Sequence, residues 1–415
     1  MNVLLRRVTL LDPTAEAART VDVHYRDGAV QRISEEPFDA PEAATVTDAT
    51  DLVLAPAFTD IGTQVREPGL EQHEDLESAA AAAIAGGYGA LAPFPNTDPV
   101  VDGKAGVRYL RRSAAELSVM LYPIGALSKG TSGELPAELF DLYRQGVRLF
   151  SDGPETGPDD GNLLRALQYT QAFGGTVCVP AMSRPAAGEG LMHEGPVSTS
   201  LGLRGLAGAQ ERMAVQRALE LLRYAGGQLH LYAISSAASV TLVREAKAEG
   251  LAVSASVAAL NLLLTDEELR GFDSAYKVLP PLRAESDRTA LIGGLADGTI
   301  DAVVSNHAPW DAEHKNLELP YAAFGVPALE TAFAAARTAT QDTVPLPVLL
   351  RALTAGPRAI LQQESIAIAP DYQGALVLLD PEVAWTVSAG DLHSKGFHNP
   401  LLGRTLSGRV ARVFR

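Results

Sequence analysis

Apolar positions along this chain change rhythm twice. From Met1 to about Leu54 they fall in short runs of Val, Leu and Ile, at Val3–Leu11, Val21–Tyr25, Ala29–Ile33 and Asp51–Leu54, parted by turn residues such as Asp27-Gly28. Runs of that length and composition predict β-strands. The same texture returns at Gly374–Leu379, Ala384–Val387 and Leu406–Phe414. Two β-rich ends around a long middle predict that the termini meet in one small sheet domain.

The middle alternates. Buried-strand patterns occur at Leu54–Asp60, Gly89–Phe94, Val119–Ile124, Val147–Ser151, Gly175–Pro180, Gln228–Ile234, Ala252–Val257 and Asp301–Ser305. Helical periodicity fills most of the gaps, at His73–Ala85, Lys104–Leu117, Pro136–Arg144, Asn162–Ala172, Gln210–Tyr224, Ser236–Glu249 and Ser286–Ala296. Glu74, Asp75 and Glu77 suit the positive end of the first helix, and Gly86-Gly87 stops it. Eight strands alternating with helices over about 250 residues predict an α/β fold, a (β/α)8 barrel rather than an open sheet. The barrel is expected over 55–364, with 1–54 plus 365–415 forming a small β-sandwich domain.

Composition narrows the function classes. The 415 residues can bury a large core, and 47% hydrophobic with 20% charged residues is ordinary for a soluble globular protein. A formal charge of −16 argues against a phosphate backbone or an anionic membrane as partner. Cys178 is the single cysteine, which excludes an internal disulfide and points to a reducing compartment. Its apolar run, Thr176 to Val179, reads as core rather than as the setting of a nucleophile. No apolar run reaches the roughly 18 residues of a membrane span. The N-terminus lacks the charged-then-apolar order of a signal peptide, so a cytoplasmic location is expected.

In such a barrel the chemistry sits at the C-terminal ends of the strands. The first ends Asp60-Ile61-Gly62-Thr63-Gln64-Val65-Arg66. Gly62 and Gln64 stand on one side of the extended chain, where a metal enzyme would place two imidazoles. Neither binds a divalent ion well. The later ends carry Asn96, Asp152, Pro180, Ala233 and Asn306-His307.

Taken in order, these strings resemble a dihydroorotase of the amidohydrolase superfamily, the long bacterial type, across essentially the whole chain. The supporting strings are P-A-F-T-D-I-G-T-Q-V-R-E-P-G (56–69), H-E-D-L-E-S (73–78), A-G-G-Y (85–88), P-N-T-D-P (95–99) and F-S-D-G (150–153). Further on come H-E-G-P-V-S-T-S-L-G-L (193–203), L-L-L-T-D-E-E-L-R-G-F-D (262–273), K-V-L-P-P-L-R (277–283), D-G-T-I-D-A-V-V-S-N-H-A-P (297–309) and S-K-G-F-H-N-P (394–400). The resemblance implies a metal-dependent hydrolase that interconverts carbamoyl aspartate and dihydroorotate. It also implies where the metal ligands should be. The His-x-His pair falls on Gly62 and Gln64, the strand-five His on Pro180, the strand-six His on Ala233, and the strand-eight Asp, also the proton acceptor, on Asn306. Only strand four keeps an acid, Asp152, and every imidazole ligand is missing.

The residues agree without the resemblance. Amide hydrolysis near neutral pH needs a metal or a comparable device to turn water into a strong nucleophile. Zinc wants three or four converging imidazole, thiolate or carboxylate groups. None of the eight histidines forms a His-x-His or i, i+4 pair, and Asn306 is no base. No cofactor or metal is therefore expected. Asp152 reads better as a hydrogen-bonding strand-end residue, His307 as a structural imidazole, His230 as a core histidine, and Trp310 as a filler of the emptied cavity. Arg66 and Asn96 match the positions at which the family grips the substrate carboxylate, and with His307 they form the candidate ligand-binding set. The competing reading pairs Arg66 with Asp60, Glu67 or Asp152.

The reading that follows is a chain that is not an enzyme. It would be a catalytically inactive dihydroorotase homologue acting as a structural or activating subunit for aspartate carbamoyltransferase in pyrimidine synthesis, the partner the resemblance implies, in a homo- or hetero-oligomer. Two alternatives stay open. One is an active dihydroorotase or related cyclic amidohydrolase with an atypical site; the other is a sensor that binds a carboxylate metabolite.

Overall fold

A computed structural model describes residues 1–13, 18–155, 157–182 and 188–415. Both chain ends contribute to one seven-stranded sheet. Its order is Thr405–Phe414, Leu376–Thr386, Val53–Pro56, Asn2–Leu10, Arg19–Arg26 and Ala29–Ser34, with Thr45–Asp48 also pairing with Asn2–Leu10. Val8, Val23, Leu54, Leu376 and Phe414 belong to the apolar core that this β-sandwich domain keeps for itself.

Three details depart from the sequence expectation, each for a physical reason. Thr45–Asp48 is a strand although its residues are mostly polar and mostly exposed; pairing with Asn2–Leu10 holds it there. Leu376–Thr386 is one strand where two were expected, because Asp380-Pro381 is absorbed as a register shift against Thr405–Phe414 instead of ending the strand. The run at Leu54–Asp60 divides at Ala57. Val53–Pro56 joins the terminal sheet and Phe58–Thr63 opens the barrel, and since every residue of both strands is buried, nothing in hydrophobicity marks the break.

The eight barrel strands are Phe58–Thr63, Tyr88–Pro93, Met120–Leu121, Leu149–Phe150, Thr176–Pro180, Gln228–Tyr232, Val253–Ala258 and Ala302–Val304. The first three pair in parallel, and so do the last five. A parallel bridge from Gly125 to Phe150 links the two groups. The seven expected helices are present at Leu76–Ala85, Lys104–Ala114, Leu139–Arg144, Asp160–Gln171, Gly208–Ala225, Ala237–Ala248 and Glu285–Ala296. The first begins later than its periodicity suggested, because Asp75 is its N-cap and accepts from the Ser78 amide. Glu74 is thereby left outside the helix and fully buried, free to serve elsewhere.

Strand eight closes on strand one through Asp60. Its buried carboxylate accepts from the Ser305 amide and the Ser305 hydroxyl, both at 2.7 Å, and from the Thr63 hydroxyl at 2.5 Å. Burial pushes the Asp60 pKa up, and these three donors work against it. Gln64 N–H adds a bond to the His307 carbonyl at 2.9 Å. The candidate positions on strands one and eight are thus held against each other by backbone and carboxylate together. Among the described residues, no helix is long and apolar enough to cross a membrane.

Candidate functional site

All six positions matched to metal ligands lie at the C-terminal ends of barrel strands, as the fold requires. Three of them keep left-handed backbone: Gly62 at φ +84°, Ala233 at +51° and Asn306 at +55°. Alanine and asparagine pay for that conformation in strain, so the strand ends have the turns of an active-site mouth without its usual side chains.

The space between them is occupied by Tyr232. A Cβ on Gly62 would meet the Tyr232 ring at 2.4 Å and the Phe94 ring at 2.7 Å, and these two rings pack edge to face at 4.9 Å. The Tyr232 hydroxyl lies 3.3 Å from Asn306 Oδ1 and 3.5 Å from the Gly62 carbonyl, bridging strands one and eight. Asn306 completes its contacts by donating to the Leu279 carbonyl at 3.1 Å. Beside Pro180, Ala233 and Tyr232 the remaining cavity is about 10 Å³, roughly room for one water. The cavity filler is therefore Tyr232 with Phe94. Trp310, the residue suggested by sequence, instead donates to the Phe324 carbonyl at 2.7 Å and stacks on His314. Tyr232 was missed because strand ends were searched for ligands, and an aromatic one residue before Ala233 is not one.

Asp152, the surviving acid, is 1% exposed and committed. Its Oδ1 accepts from the amides of Leu127 and Ser128 at 3.0 and 2.8 Å, and its Oδ2 from the Ser128 hydroxyl at 2.7 Å. Burial raises its pKa against those donors. A divalent ion at the mouth would find one carboxylate already used, a proline, an alanine, a glycine and two amides. That donor set does not fit the metal the family resemblance implies.

His307 is fully buried. Its Nδ1 accepts from the amides of Ala328 and Leu329 at 3.1 and 3.3 Å, which assigns the proton to Nε2, 3.3 Å from Glu74. Both ring nitrogens are engaged, which leaves none for a ligand. Burial works against the Glu74 carboxylate, but His307 and the hydroxyls of Ser394 and Ser78 outweigh it and hold its pKa below the usual value. His230 bonds Ser254 and Ser256 at 2.9 and 3.1 Å, and burial takes its pKa down to about 3. Burial likewise pushes the Cys178 thiol up to about 12. Neither group is chemically available at neutral pH.

Arg66 behaves otherwise. It is 7% exposed, it lies 4.3 Å over the Trp310 ring, and its buried Nε and Nη2 have no hydrogen-bond partner among the described residues. Asp60, Glu67 and Asp152, the acids weighed as its partners, bond Ser305, Tyr109 and Ser128 respectively. Burial lowers the Arg66 pKa to about 10, and the charge of Glu155 opposes the drop. Asn96 comes from the adjoining loop, which touches the Arg66 loop where Asp98 N–H meets the Pro68 carbonyl at 2.9 Å. Its Nδ2 donates to the Asp152 carbonyl at 2.9 Å, while its buried Oδ1 has no partner among the described residues. A buried guanidinium with two unsatisfied N–H groups carries an energetic cost that an acceptor would relieve.

One network went unseen in the sequence. Arg283 and Glu211, 3% and 0% exposed, pair at 2.8 Å beneath the mouth. Glu211 also accepts from Ser235, Ser236 and Ser239, while Arg283 donates to Ser235 at 2.7 Å and meets His193 Nδ1 at 3.1 Å. The strings at 193–203 and 277–283 are therefore parts of one ion-pair cluster. Glu211 itself lay unmarked inside a helical pattern.

No family model matches the chain. Curated relatives do match over nearly its whole length. A protein of Geobacter sp. (strain M21) named Dihydroorotase is 36% identical over 412 residues, covering 99% of this chain and 97% of the relative. One of Anaeromyxobacter dehalogenans (strain 2CP-C), with the same name, is 37% identical over 408 residues, covering 97% and 94%. Among solved structures, an L-hydantoinase (dihydropyrimidinase) from Arthrobacter aurescens superposes with a TM-score of 0.84 at 20% identity, over 99% of this chain and 93% of that one, a likeness of fold. The expectation that the chain is not an enzyme is corrected by these relatives, which carry an enzyme's name and align with it almost end to end. Absent ligands had been read as absent activity, and full-length identity above one third overrules that step. By its sequence, the chain belongs to the dihydroorotase family.

Proposed function

We propose that this chain is a cyclic amidohydrolase with an atypical site, acting on the dihydroorotate and carbamoyl aspartate class of substrate. The observation that carries the proposal is Arg66: buried, stacked on Trp310, and holding two N–H groups with no acceptor among the described residues. A substrate carboxylate placed there gains charge-assisted bonds that water does not offer as well in a buried setting. Asn96 Oδ1 adds an acceptor for a ring or carbamoyl N–H on the neighbouring loop. These groups bind and orient. The six matched strand-end positions supply neither a metal nor a base, so no bond-making step is assigned to them.

The test is turnover of dihydroorotate by the purified chain, followed as ring opening, with carbamoyl aspartate for the reverse direction. Arg66→Ala should raise KM about 10- to 100-fold, the loss of one charge-assisted interaction worth about 1.5–3 kcal/mol. A parent chain with no turnover, and no calorimetric heat with either compound at millimolar concentration, would overturn the proposal.

Assembly with aspartate carbamoyltransferase is a separate proposal, supported by the family resemblance alone. Mixed at micromolar concentration, the two proteins should leave a size-exclusion column as one larger species. Separate elution would remove the partner from the proposal and leave the substrate reading untouched.

A further inference from the structure

Behind Trp310 lies a group of side chains that the proposed function does not use. Ligand atoms of His73, Asp311 and His314 all fall within 4.8 Å of one another. His73 Nδ1 is 3.1 Å from one Asp311 carboxylate oxygen, and His314 Nδ1 is 2.7 Å from the other. The two imidazoles meet edge to face at 4.9 Å, and Trp310 walls both, at 4.8 Å from His73 and 5.1 Å from His314.

Part of this has a local explanation. Asp311 caps the short helix Ala312–Lys315 by accepting from the His314 amide at 3.1 Å, which alone sets Asp311 and His314 one turn apart. The cap does not account for His73. That residue arrives from the loop after the first barrel strand, is 4% exposed, and turns toward Asp311 a buried Nδ1 that has no well-formed hydrogen bond. Its other nitrogen, Nε2, lies 3.3 Å from the donor Gln72 Nε2, so the ring proton sits on Nδ1 facing Asp311, and a metal ion bound there takes that proton's place.

We propose that His73, Asp311 and His314 form a binding site for one divalent transition metal ion of the zinc class, with water completing the coordination. Two imidazoles and a carboxylate leaving a fourth position open is a donor set that zinc accepts. Zinc–nitrogen and zinc–oxygen bonds of about 2.0–2.2 Å require ligand atoms roughly 3.3 Å apart in a tetrahedron. The two contacts to Asp311 are already close to that, and small ring rotations of the half-exposed His314 bring in the third. The surrounding charges are mixed. Arg66 faces the cluster across Trp310 and opposes a cation, whereas Asp311 carries the compensating negative charge. The ion would stand on the rim of the barrel mouth, beside the arginine assigned above to the substrate carboxylate. None of its ligands is one of the six matched strand-end positions, and the sequence expectation of a chain without metal did not consider these residues together.

The site is tested with metal alone, so its outcome is independent of dihydroorotate turnover. Protein stripped with chelator is dialysed against micromolar zinc chloride, and separately titrated with cobalt chloride. One zinc per chain and the intense visible absorption of a tetrahedral cobalt centre are expected. His314→Ala should weaken zinc binding by at least about tenfold with the fold intact, since that side chain is half-exposed, and His73→Gln should do the same. Less than about one-tenth equivalent of zinc on the parent would overturn the proposal. Full binding that survives both substitutions would overturn it as well, by placing the ion elsewhere.

Discussion

Replacing Arg283 with methionine is expected to cost about 3–5 kcal/mol of stability at pH 7, read as a lower midpoint in urea with an unchanged slope. The reason is what it leaves behind. Glu211 is completely buried, and its nearest cation is Arg283 at 2.8 Å. Burial by itself raises the Glu211 pKa; Arg283 and the serine donors outweigh burial and hold it below the ordinary carboxylate value. A carboxylate whose folded pKa is depressed contributes stability that is fully present above its unfolded pKa, about 4.3, and is lost as pH falls through the folded value. Without Arg283 the carboxylate is buried with hydroxyl and amide donors only, and burial then favours its protonated form. The gap between parent and variant should therefore be largest at neutral pH, begin to narrow once Glu211 of the folded variant takes up a proton above the ordinary carboxylate range, and keep narrowing as pH falls through the unfolded value of about 4.3. Combining Arg283→Met with Glu211→Gln should recover part of the loss, because removing both charges leaves none unpaired. A single-variant loss below about 1 kcal/mol, or a gap that does not depend on pH, would show that the pair does not hold the mouth together.

That cluster also shows where the sequence stops being legible. Hydrophobic period placed all eight barrel strands and all seven searched helices to within a few residues, because burial on both faces of a parallel strand and on one face of a helix is written directly into residue type. The divided strand at Ala57 and the joined strand at Asp380-Pro381 were not legible, since both depend on which neighbour the backbone pairs with. The candidate site divides in the same way. Residue types at the strand ends were readable one by one, including Arg66 and the absence of histidine at the positions the resemblance assigns to metal ligands. What occupies the space between them was not. Tyr232, Phe94, Glu211 and the grouping of His73 with Asp311 and His314 all involve residues far apart in the chain, brought together only when the barrel closes.

Gly62→Ala is expected to destabilise the chain by about 2–6 kcal/mol, a large effect for one methyl group. Two costs add. The backbone at Gly62 sits at φ +84°, outside the comfortable range of an L side chain, which costs about 1–3 kcal/mol. The new Cβ would stand 2.4 Å from the Tyr232 ring, and forcing a packed ring aside costs another 1–3 kcal/mol or so. The two parts can be separated. In a Tyr232→Leu background the ring is gone and the second cost should largely vanish, whereas the backbone cost should stay. A Gly62→Ala loss equal in both backgrounds would mean that Tyr232 does not occupy the space, and a loss under about 0.5 kcal/mol in the parent would mean the mouth is looser than its contacts indicate. The same geometry bears on catalysis. Histidine at Gly62, the residue the family resemblance implies there, would drive an imidazole into the volume of Tyr232. Glycine at the first strand end and tyrosine at the sixth are a matched pair, and the proposed hydrolysis would have to activate water outside the volume they share.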